Sequence, residues 1–203
     1  MVEPVDIERD VSRETLERLH EFEQLIQEWT KRINLISRAD AGALWGRHIL
    51  DCLQLVPLLP DVATSITDLG AGAGLPGMVL TIATGIPVTL IDSDQRKAAF
   101  LRTAAARLGV KATILCQRIE AAAPPPAPVV TARAVAPLRP LLDLAYPKLT
   151  PEGCCLFMKG ENAEAELTDA LQKWQMKIER FASRTAPSAT IFRLSEIRRV
   201  NQA

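Results

Sequence analysis

The sequence predicts an α/β fold: a mostly parallel central sheet with an antiparallel C-terminal strand pair, preceded by a helical N-terminal extension. Residues 1–60 carry only helical patterns of apolar residues. From residue 64 onwards, short β-branched segments alternate with helical ones, which is typical of βαβ units with helices on both faces of a parallel sheet. The last two strand-like segments are joined by a loop too short for a helical crossover, so they should pair antiparallel. We therefore divide one compact unit into an extension, 1–60, and a sheet domain, 61–203.

Two helices are predicted in the extension. Ser12 is a suitable N-cap for the first helix. After it, apolar residues recur every three or four positions along one helical face, at Leu16, Leu19, Phe22, Leu25, Ile26 and Trp29. The second helix is predicted from about Ala41 to Val56 and ends close to two prolines.

The strands of the sheet domain are predicted from short β-branched segments. The parallel strands are TSITDL (64–69), PVTLID (87–92), KATILC (111–116), VVTAR (129–133) and CCLFMK (154–159). The antiparallel pair is WQMKIERFAS (174–183) and ATIFRLSEI (189–197). The proline-rich segment APPPAP (123–128) is predicted to be a stiff loop within the domain, because the strand pattern resumes directly after it.

Composition excludes several classes of protein. The 24 basic and 24 acidic residues cancel, so any surface for nucleic acid must be a local patch. No apolar run approaches the ~20 residues of a membrane span, and the acidic start lacks the apolar segment of a secretory signal. We expect a cytoplasmic protein without a membrane partner. The cysteines lack metal-site spacing and are expected to be buried thiols, with no metal bound: Cys52, Cys116, Cys154 and Cys155.

The segment DLGAGAGLPG (68–77) joins the first strand to the next helix and predicts a nucleoside ligand. Counted from Gly72, it matches the dinucleotide pattern G-x-G-x-x-G, but that glycine lies four residues beyond Asp68, too far from the strand. Counted from Gly70, it reads D-x-G-x-G-x-G, the first motif of Rossmann-like methyltransferases that use S-adenosylmethionine (AdoMet). The Asp68 carboxylate suits the ammonium and sulfonium of AdoMet and would repel a pyrophosphate. The loop therefore favours AdoMet, with S-adenosyl-L-homocysteine as the product.

Asp92 closes the second strand, about 20 residues after the loop. A carboxylate at this position can accept hydrogen bonds from both ribose hydroxyls of an adenosine ligand. It supports a nucleoside but does not choose between AdoMet and a dinucleotide.

Basic residues follow three successive strands: Arg118, Arg133 and Lys159. Because the carboxyl ends of parallel strands meet at one edge of a sheet, we expect these side chains near the same cleft as Asp68 and Asp92. Such a rim suits phosphate contacts and favours RNA or DNA as the substrate. Further basic residues that could extend the rim are Arg96, Arg102 and Arg139.

The motifs that the sequence lacks limit which atom can accept the methyl group. The sequence has no Asn/Asp-Pro-Pro-aromatic segment of the kind used for exocyclic amino groups, and no Pro-Cys nucleophile for pyrimidine C5. A ring nitrogen such as guanine N7 carries a free lone pair and needs no general base. An active site without such groups is consistent with that acceptor.

Six segments, in their order and spacing from about Glu28 to Gly160, resemble the family of ribosomal RNA small subunit methyltransferase G, also called glucose-inhibited division protein B. They are WTKRINLISR (29–38), RHILD (47–51), DLGAGAGLPG (68–77), LIDSDQRKAAFLR (90–102), TARAVAPL (131–138) and MKG (158–160). The resemblance implies the class I AdoMet-dependent methyltransferase fold and a cytoplasmic enzyme. It also implies methylation of N7 of one guanine in 16S rRNA (guanine 527 by the rRNA convention) in the decoding region.

The resemblance also implies the site residues. The cofactor-binding residues, including those already derived from the loop, are Asp68, Gly70, Gly72, Leu75, Asp92, Ile119, Glu120 and Arg133. Ile119 and Glu120 fall where the family meets the adenine edge. We expect Arg133 and Lys159 to be the catalytic residues, aligning RNA or the methionine end of AdoMet. This chain departs from the family in having Pro128 where aspartate is common, and Ile119 where alanine is common.

Arg47, His48 and Asp51 lie within one helical turn and can meet on one face. They form either a packing and capping cluster or a surface that abuts the cleft and holds RNA. Two other functions stay open: a NAD(P)-dependent oxidoreductase, which would bind NADH more tightly than AdoMet, and a non-catalytic RNA-binding protein, which would bind no nucleoside. The partner is expected to be 16S rRNA or the small ribosomal subunit, and a monomer is the simplest assembly.

Overall fold

A seven-stranded sheet organises the computed structural model, which describes residues 11–37 and 41–200. The strands are β1 Ile66–Leu69, β2 Val88–Ile91, β3 Ala112–Leu115, β4 Ala127–Arg133, β5 Leu149–Lys159, β6 Trp174–Ala182 and β7 Thr190–Arg199. Their order in the sheet is β3-β2-β1-β4-β5-β7-β6. Strands β1 to β5 pair parallel, and β7 pairs antiparallel with both β5 and β6. The predicted mostly parallel sheet with an antiparallel C-terminal pair is confirmed.

Helices connect the strands. The α-helices are α1 Arg13–Thr30, α2 Leu50–Leu53, α3 Gly77–Thr84, α4 Gln95–Leu108, α5 Leu138–Ala145 and α6 Ala163–Ala170. The predicted cap of α1 is confirmed, because the Ser12 hydroxyl accepts a hydrogen bond from the Thr15 N–H. The acidic start of the chain and Arg38 of the WTKRINLISR segment lie outside the described residues.

The second predicted helix of the extension is confirmed as a helical stretch over 41–53, but it is not one regular α-helix. The chain forms a 3-10 turn at Ala41–Ala43, a π-helical turn at Trp45–Ile49, the short helix α2 and a 3-10 turn at Val56–Leu58. Gly42 and Gly46 weaken the helix propensity of this stretch. The π-helical turn contains Arg47 and His48, and such turns are frequent at functional sites.

The extension packs against one face of the sheet. Leu19, Phe22 and Ile26 of α1 share a buried apolar cluster with Val79 of α3 and Phe100 of α4. A second cluster on the other face contains the inward residues of α5 and α6 together with Trp174. No helix among the described residues combines the length and apolarity needed to cross a membrane.

Pro128 lies in β4 and not in the loop that precedes it, so the predicted loop over 123–128 ends too late. The pairing of β4 with β5 shifts in register between Ala127 and Val129. The pairing of β4 with β1 begins only at Val129. A proline has no N–H to donate, so a position at such an irregularity, before the full ladder begins, accommodates it.

Candidate active site

The glycine-rich loop is tied across the carboxyl ends of β1 and β2. The Ala71 N–H donates to the carbonyl of Ile91 at 2.9 Å, and the Gly72 N–H donates to Asp92 Oδ2 at 2.8 Å. These bonds hold the loop above the strand ends, where nucleoside ligands bind in such sheets.

Gly70 is required by its conformation and by its neighbour. Its φ is 63°, in the left-handed region that disfavours side chains. A Cβ at this position would also lie 2.8 Å from Cγ2 of Val135. Val135 belongs to the β4–α5 loop (residues 134–137), so the absence of a side chain lets the two loops touch.

Asp92 is anchored by the backbone and remains half-buried. One carboxylate oxygen accepts from the Gly72 N–H at 2.8 Å and the other from the Asp94 N–H at 2.9 Å. Each oxygen keeps a further lone pair for a ribose hydroxyl. A Cβ placed on Gly72 would meet only the Gly70 carbonyl oxygen, at 3.8 Å, so the loop leaves room beside this carboxylate. These residues fit an adenosine ligand.

Asp68 does not face the ligand as expected. Its side chain is completely buried beneath the loop, where Oδ1 accepts from the Thr131 hydroxyl at 2.7 Å and Oδ2 from the Gly77 N–H at 3.0 Å. It therefore joins β1 to β4 and to the start of α3. Burial raises the pKa of Asp68 to about 7, although both hydrogen bonds act in the opposite direction.

We expect Asp68→Asn to change the pH dependence of stability. The asparagine Oδ1 can accept from the Gly77 N–H and its Nδ2 can donate to the Thr131 hydroxyl oxygen, and the side chain does not ionise. Because the folded pKa of about 7 exceeds the unfolded value of 3.8, the parent protein gains stability from Asp68 at low pH. That gain is lost as pH rises from about 4 to about 7 and amounts to on the order of 4 kcal/mol. Urea unfolding of parent and variant from pH 4.5 to 8.5 measures the difference.

Asp61→Asn is the matched control, because Asp61 is exposed. A constant difference in unfolding free energy between the parent and Asp68→Asn across this pH range would contradict a protonated Asp68.

Ile119 and Glu120 follow β3 in a turn in which the Arg118 carbonyl accepts from the N–H groups of Ala121 and Ala122. Ile119 is half-buried against the second apolar cluster, and Glu120 is exposed. Leu75 is 9% exposed at the opposite end of the glycine-rich loop. The three residues are thus carried by the connections that follow β1 and β3, on either side of Asp92.

A cleft of about 630 Å³ opens beside the glycine-rich loop, at the carboxyl ends of β4 and β5. Arg133 and Lys159 both line it, as the sequence predicts. Two further walls come from the extension and from the β6–β7 loop (residues 183–189). The cleft reaches the glycine-rich loop at Val135, the residue that approaches Gly70.

Arg133 points toward the extension. Its Nη2 donates to His48 Nδ1 at 2.6 Å and to the Arg47 carbonyl at 3.3 Å, and lies 3.8 Å from Asp51 Oδ2. Since arginine has no acceptor, Nδ1 of His48 is the unprotonated ring nitrogen in this bond. The predicted meeting of Arg47, His48 and Asp51 is confirmed, and their surface abuts the cleft.

Lys159 has protein partners that the sequence does not indicate. Its ammonium lies 2.6 Å from Glu166 Oε2 and donates to the Ala136 carbonyl at 2.7 Å, and the side chain is only 8% exposed. The same Glu166 oxygen accepts from the Leu138 N–H at 2.9 Å. Lys159 and Glu166 therefore hold the β4–α5 loop and the start of α5. This geometry corrects the expectation of a freely projecting lysine.

The remaining predicted basic residues do not line the cleft. Arg118 is exposed in the turn after β3, and Arg102 is exposed on α4. Arg139 pairs with Asp169 at 3.2 Å, and Arg96 pairs with Asp94 at 3.2 Å. The positive charge at the cleft comes instead from Arg47, Arg133 and Lys159.

Four residues of this region were not found by sequence reasoning: Thr131, Glu166, Ser183 and Thr185. Thr131 stands two residues before Arg133, so its alternation along β4 was a usable signal. Glu166 and the two hydroxyl residues reach their partners only through the tertiary fold, and no local pattern marks them.

The three buried cysteine thiols are poor nucleophiles. Burial raises the pKa of Cys52 to about 12 and also raises the pKa of Cys154 and Cys155. Among residues 11–37 and 41–200, no group of three or more histidine, cysteine or carboxylate side chains is arranged to hold a metal ion.

Comparison with known sequences identifies the relatives of this chain. The family model described as rRNA small subunit methyltransferase G matches residues 15–189. A protein of that name from Gluconobacter oxydans is 53% identical over 190 residues, which cover 94% of this chain and 98% of the relative. Another from Acidiphilium cryptum is 57% identical, with 94% of both chains covered.

Solved structures share the fold at low sequence identity. The glycopeptide N-methyltransferase MtfA, solved with AdoMet, has a TM-score of 0.59 at 13% identity, covering 71% of this chain and 92% of that one. The N-methyltransferase NodS of Bradyrhizobium japonicum has a TM-score of 0.57 at 14% identity, covering 84% and 97%. The chain therefore has the Rossmann-like, class I AdoMet-dependent methyltransferase fold that the sequence predicts.

Proposed function

Because the chain belongs to the family of ribosomal RNA small subunit methyltransferase G, we propose that it methylates N7 of one guanine in 16S rRNA, guanine 527 by the rRNA convention. It is an AdoMet-dependent rRNA methyltransferase. The observation that carries the proposal is the placement of a nucleoside cradle, Gly70 to Asp92, beside a cleft that Arg47 and Arg133 line at the same edge of the sheet.

The cofactor is held by residues on the connections after β1, β2 and β3. They are Gly70, Gly72, Leu75, Asp92, Ile119 and Glu120. When bound, AdoMet supplies an electrophilic methyl group carried on a sulfonium. Asp92 accepts the ribose hydroxyls, and the backbone of the loop approaches the ligand where side chains are missing. Asp68 supports the loop from below and acts as a positioning residue.

The acceptor is aligned by the cleft. Arg133 and Arg47 supply positive charge for phosphate groups, and Lys159, paired with Glu166, holds the β4–α5 loop beside them. Alignment with exclusion of water is the main contribution that such a site makes to methyl transfer. Guanine N7 needs no general base, so the cleft residues have only to hold the base and its phosphates. Direct attack of guanine N7 on the methyl group requires no covalent enzyme intermediate.

We propose 16S rRNA or the small ribosomal subunit as the partner, the cytoplasm as the compartment and a monomer as the acting form. The partner and the compartment follow from the family relationship, and a monomer is the simplest assembly.

Methyl transfer from labelled AdoMet to unmodified small-subunit RNA and particles, followed by borohydride and aniline treatment, tests the proposal. That treatment cleaves RNA at N7-methylated guanine, so we expect one strand break in the decoding-region loop. Label incorporated without cleavage would refute the N7 assignment and leave the methyltransferase. No incorporation by a protein that binds AdoMet would refute small-subunit RNA as the acceptor.

A further inference from the structure

Asp51 is the meeting point of two walls of the cleft. It lies in α2 and is only 8% exposed. Its Oδ1 accepts hydrogen bonds from Thr185 Oγ1 at 2.6 Å, Gln54 Nε2 at 2.7 Å and Ser183 Oγ at 3.1 Å. Its Oδ2 lies 3.8 Å from Arg133 Nη2. One carboxylate thus joins the extension, the end of β4 and the β6–β7 loop.

The β6–β7 loop is held to the extension by further bonds around Asp51. The Arg184 N–H donates to Gln54 Oε1 at 2.9 Å, and Gln54 Nε2 also donates to Ser183 Oγ at 3.2 Å. Ser183 Oγ in turn accepts from the N–H groups of Thr185 and Ala186. The first half of the loop therefore takes its shape from bonds that converge on Asp51 and Gln54.

The Arg133 side of the network has few other constraints. Its side chain is 21% exposed, and its polar partners among the described residues belong to the extension: His48, the Arg47 carbonyl, Cys52 and Asp51. Asp51 is the anionic member of that set. Loss of its charge would remove the carboxylate that faces this arginine in the described part of the chain.

We propose that Asp51 is a positioning residue for the acceptor RNA, which it serves by fixing Arg133 and the β6–β7 loop together. The inference rests on the proposed function, because it assigns the cleft to the RNA. The network includes Arg133 but neither the glycine-rich loop nor Asp92, so its loss acts more strongly on RNA binding than on AdoMet binding.

Substitutions at Asp51 and Thr185 test separately the contact with Arg133 and the contact with the β6–β7 loop. Asp51→Asn keeps the size of the side chain and removes the charge that faces Arg133. Thr185→Val removes one hydroxyl from the loop and leaves Asp51 intact, and Thr185→Ser restores that hydroxyl. Glu17→Gln is the matched control, because Glu17 is an exposed carboxylate on α1 that pairs with Arg13.

We expect Asp51→Asn to raise the KM for small-subunit RNA about tenfold, since hydrogen bonds to a charged group are lost. Thr185→Val should raise it about threefold and Thr185→Ser should restore it. The AdoMet Kd, measured by calorimetry, should change by a smaller factor than the RNA KM, because the glycine-rich loop and Asp92 lie outside the network. Equal changes in the RNA KM and the AdoMet Kd, or an unchanged KM in Asp51→Asn, would overturn the proposal.

Hydrogen exchange and direct RNA binding test the inference without relying on turnover. In Asp51→Asn, the amides of Arg184, Thr185 and Ala186 should exchange at least about tenfold faster, while those of Ala71 and Gly72 stay protected. Equilibrium binding of unmodified small-subunit RNA should weaken in parallel with the KM. If the parent binds RNA but does not methylate it, the proposed function fails. Hydrogen exchange and RNA binding then still decide the role of Asp51. Unchanged exchange or unchanged RNA binding would overturn that role.

Discussion

Replacement of Asp92 by alanine should weaken AdoMet binding by about 100-fold. The change removes the acceptor for the ribose hydroxyls, and two hydrogen bonds to a charged group account for a loss of this size. It also removes the anchors of the Gly72 and Asp94 N–H groups, so the glycine-rich loop loses its fixed position. Calorimetric titration of AdoMet into parent and variant measures the effect.

Asp94→Ala is the matched control for this change. Asp94 lies two residues further along, caps α4 and has its pKa lowered to about 2 by its bonds to Arg96 and Lys97. Its removal should destabilise the start of α4 and leave the AdoMet Kd within about twofold. An AdoMet Kd that is the same in Asp92→Ala as in the parent would remove Asp92 from the cofactor site.

Replacement of Gly77 by alanine should destabilise the fold by about 3 kcal/mol, because the new Cβ overpacks a closed contact. It would lie 2.5 Å from Cδ2 of Leu90 and 2.8 Å from both Cβ and Oδ2 of Asp68. To make room, α3 must move away from β1 and stretch the bond from the Gly77 N–H to Asp68. Thermal unfolding should show a melting temperature lower by roughly 5–10 °C.

Gly42→Ala provides the comparison for that variant, since nothing lies within 4 Å of the Cβ it would add. We expect its melting temperature to match that of the parent within about 2 °C. A Gly77→Ala protein that melts with the Gly42→Ala control would show that α3 can shift without cost, and the tight closure of the loop would be wrong.

The nucleoside cradle was accessible from sequence because its signals are local. Asp68, Gly70 and Gly72 stand within five residues of one another, and Asp92 ends the next strand. Parallel strands bring their carboxyl ends to one edge, so the strand pattern alone predicts that these residues meet. The structure confirms that meeting through the bond from the Gly72 N–H to Asp92.

The roles of individual charged residues were not accessible in this way. The Asp68 carboxylate lies inside the fold, where one of its oxygens accepts a hydrogen bond from Thr131, 63 positions away. Lys159 forms an ion pair because α6 places Glu166 beside it. Both residues follow the pattern of a strand end, and the sequence holds no local sign of which partners they meet.

The order of the final strands shows the same limit. A short loop predicts that β6 and β7 pair antiparallel, but it does not say which of them joins β5. The structure places β7 between β5 and β6, so that its central residues, Ile191, Phe192 and Leu194, are covered on both edges. All three are buried.

The sequence by itself determined the fold class, the strand ends that form the cradle and the family to which the chain belongs, because periodicity and motif spacing are properties of neighbouring residues. The tertiary structure decided which charges face the cleft and which support it from within. That choice depends on burial and on partners far apart in the chain, as in the bond between Asp51 and Ser183 across 132 positions. A local sequence pattern does not indicate contacts between residues so far apart in the chain, because only the packed sheet brings those side chains together.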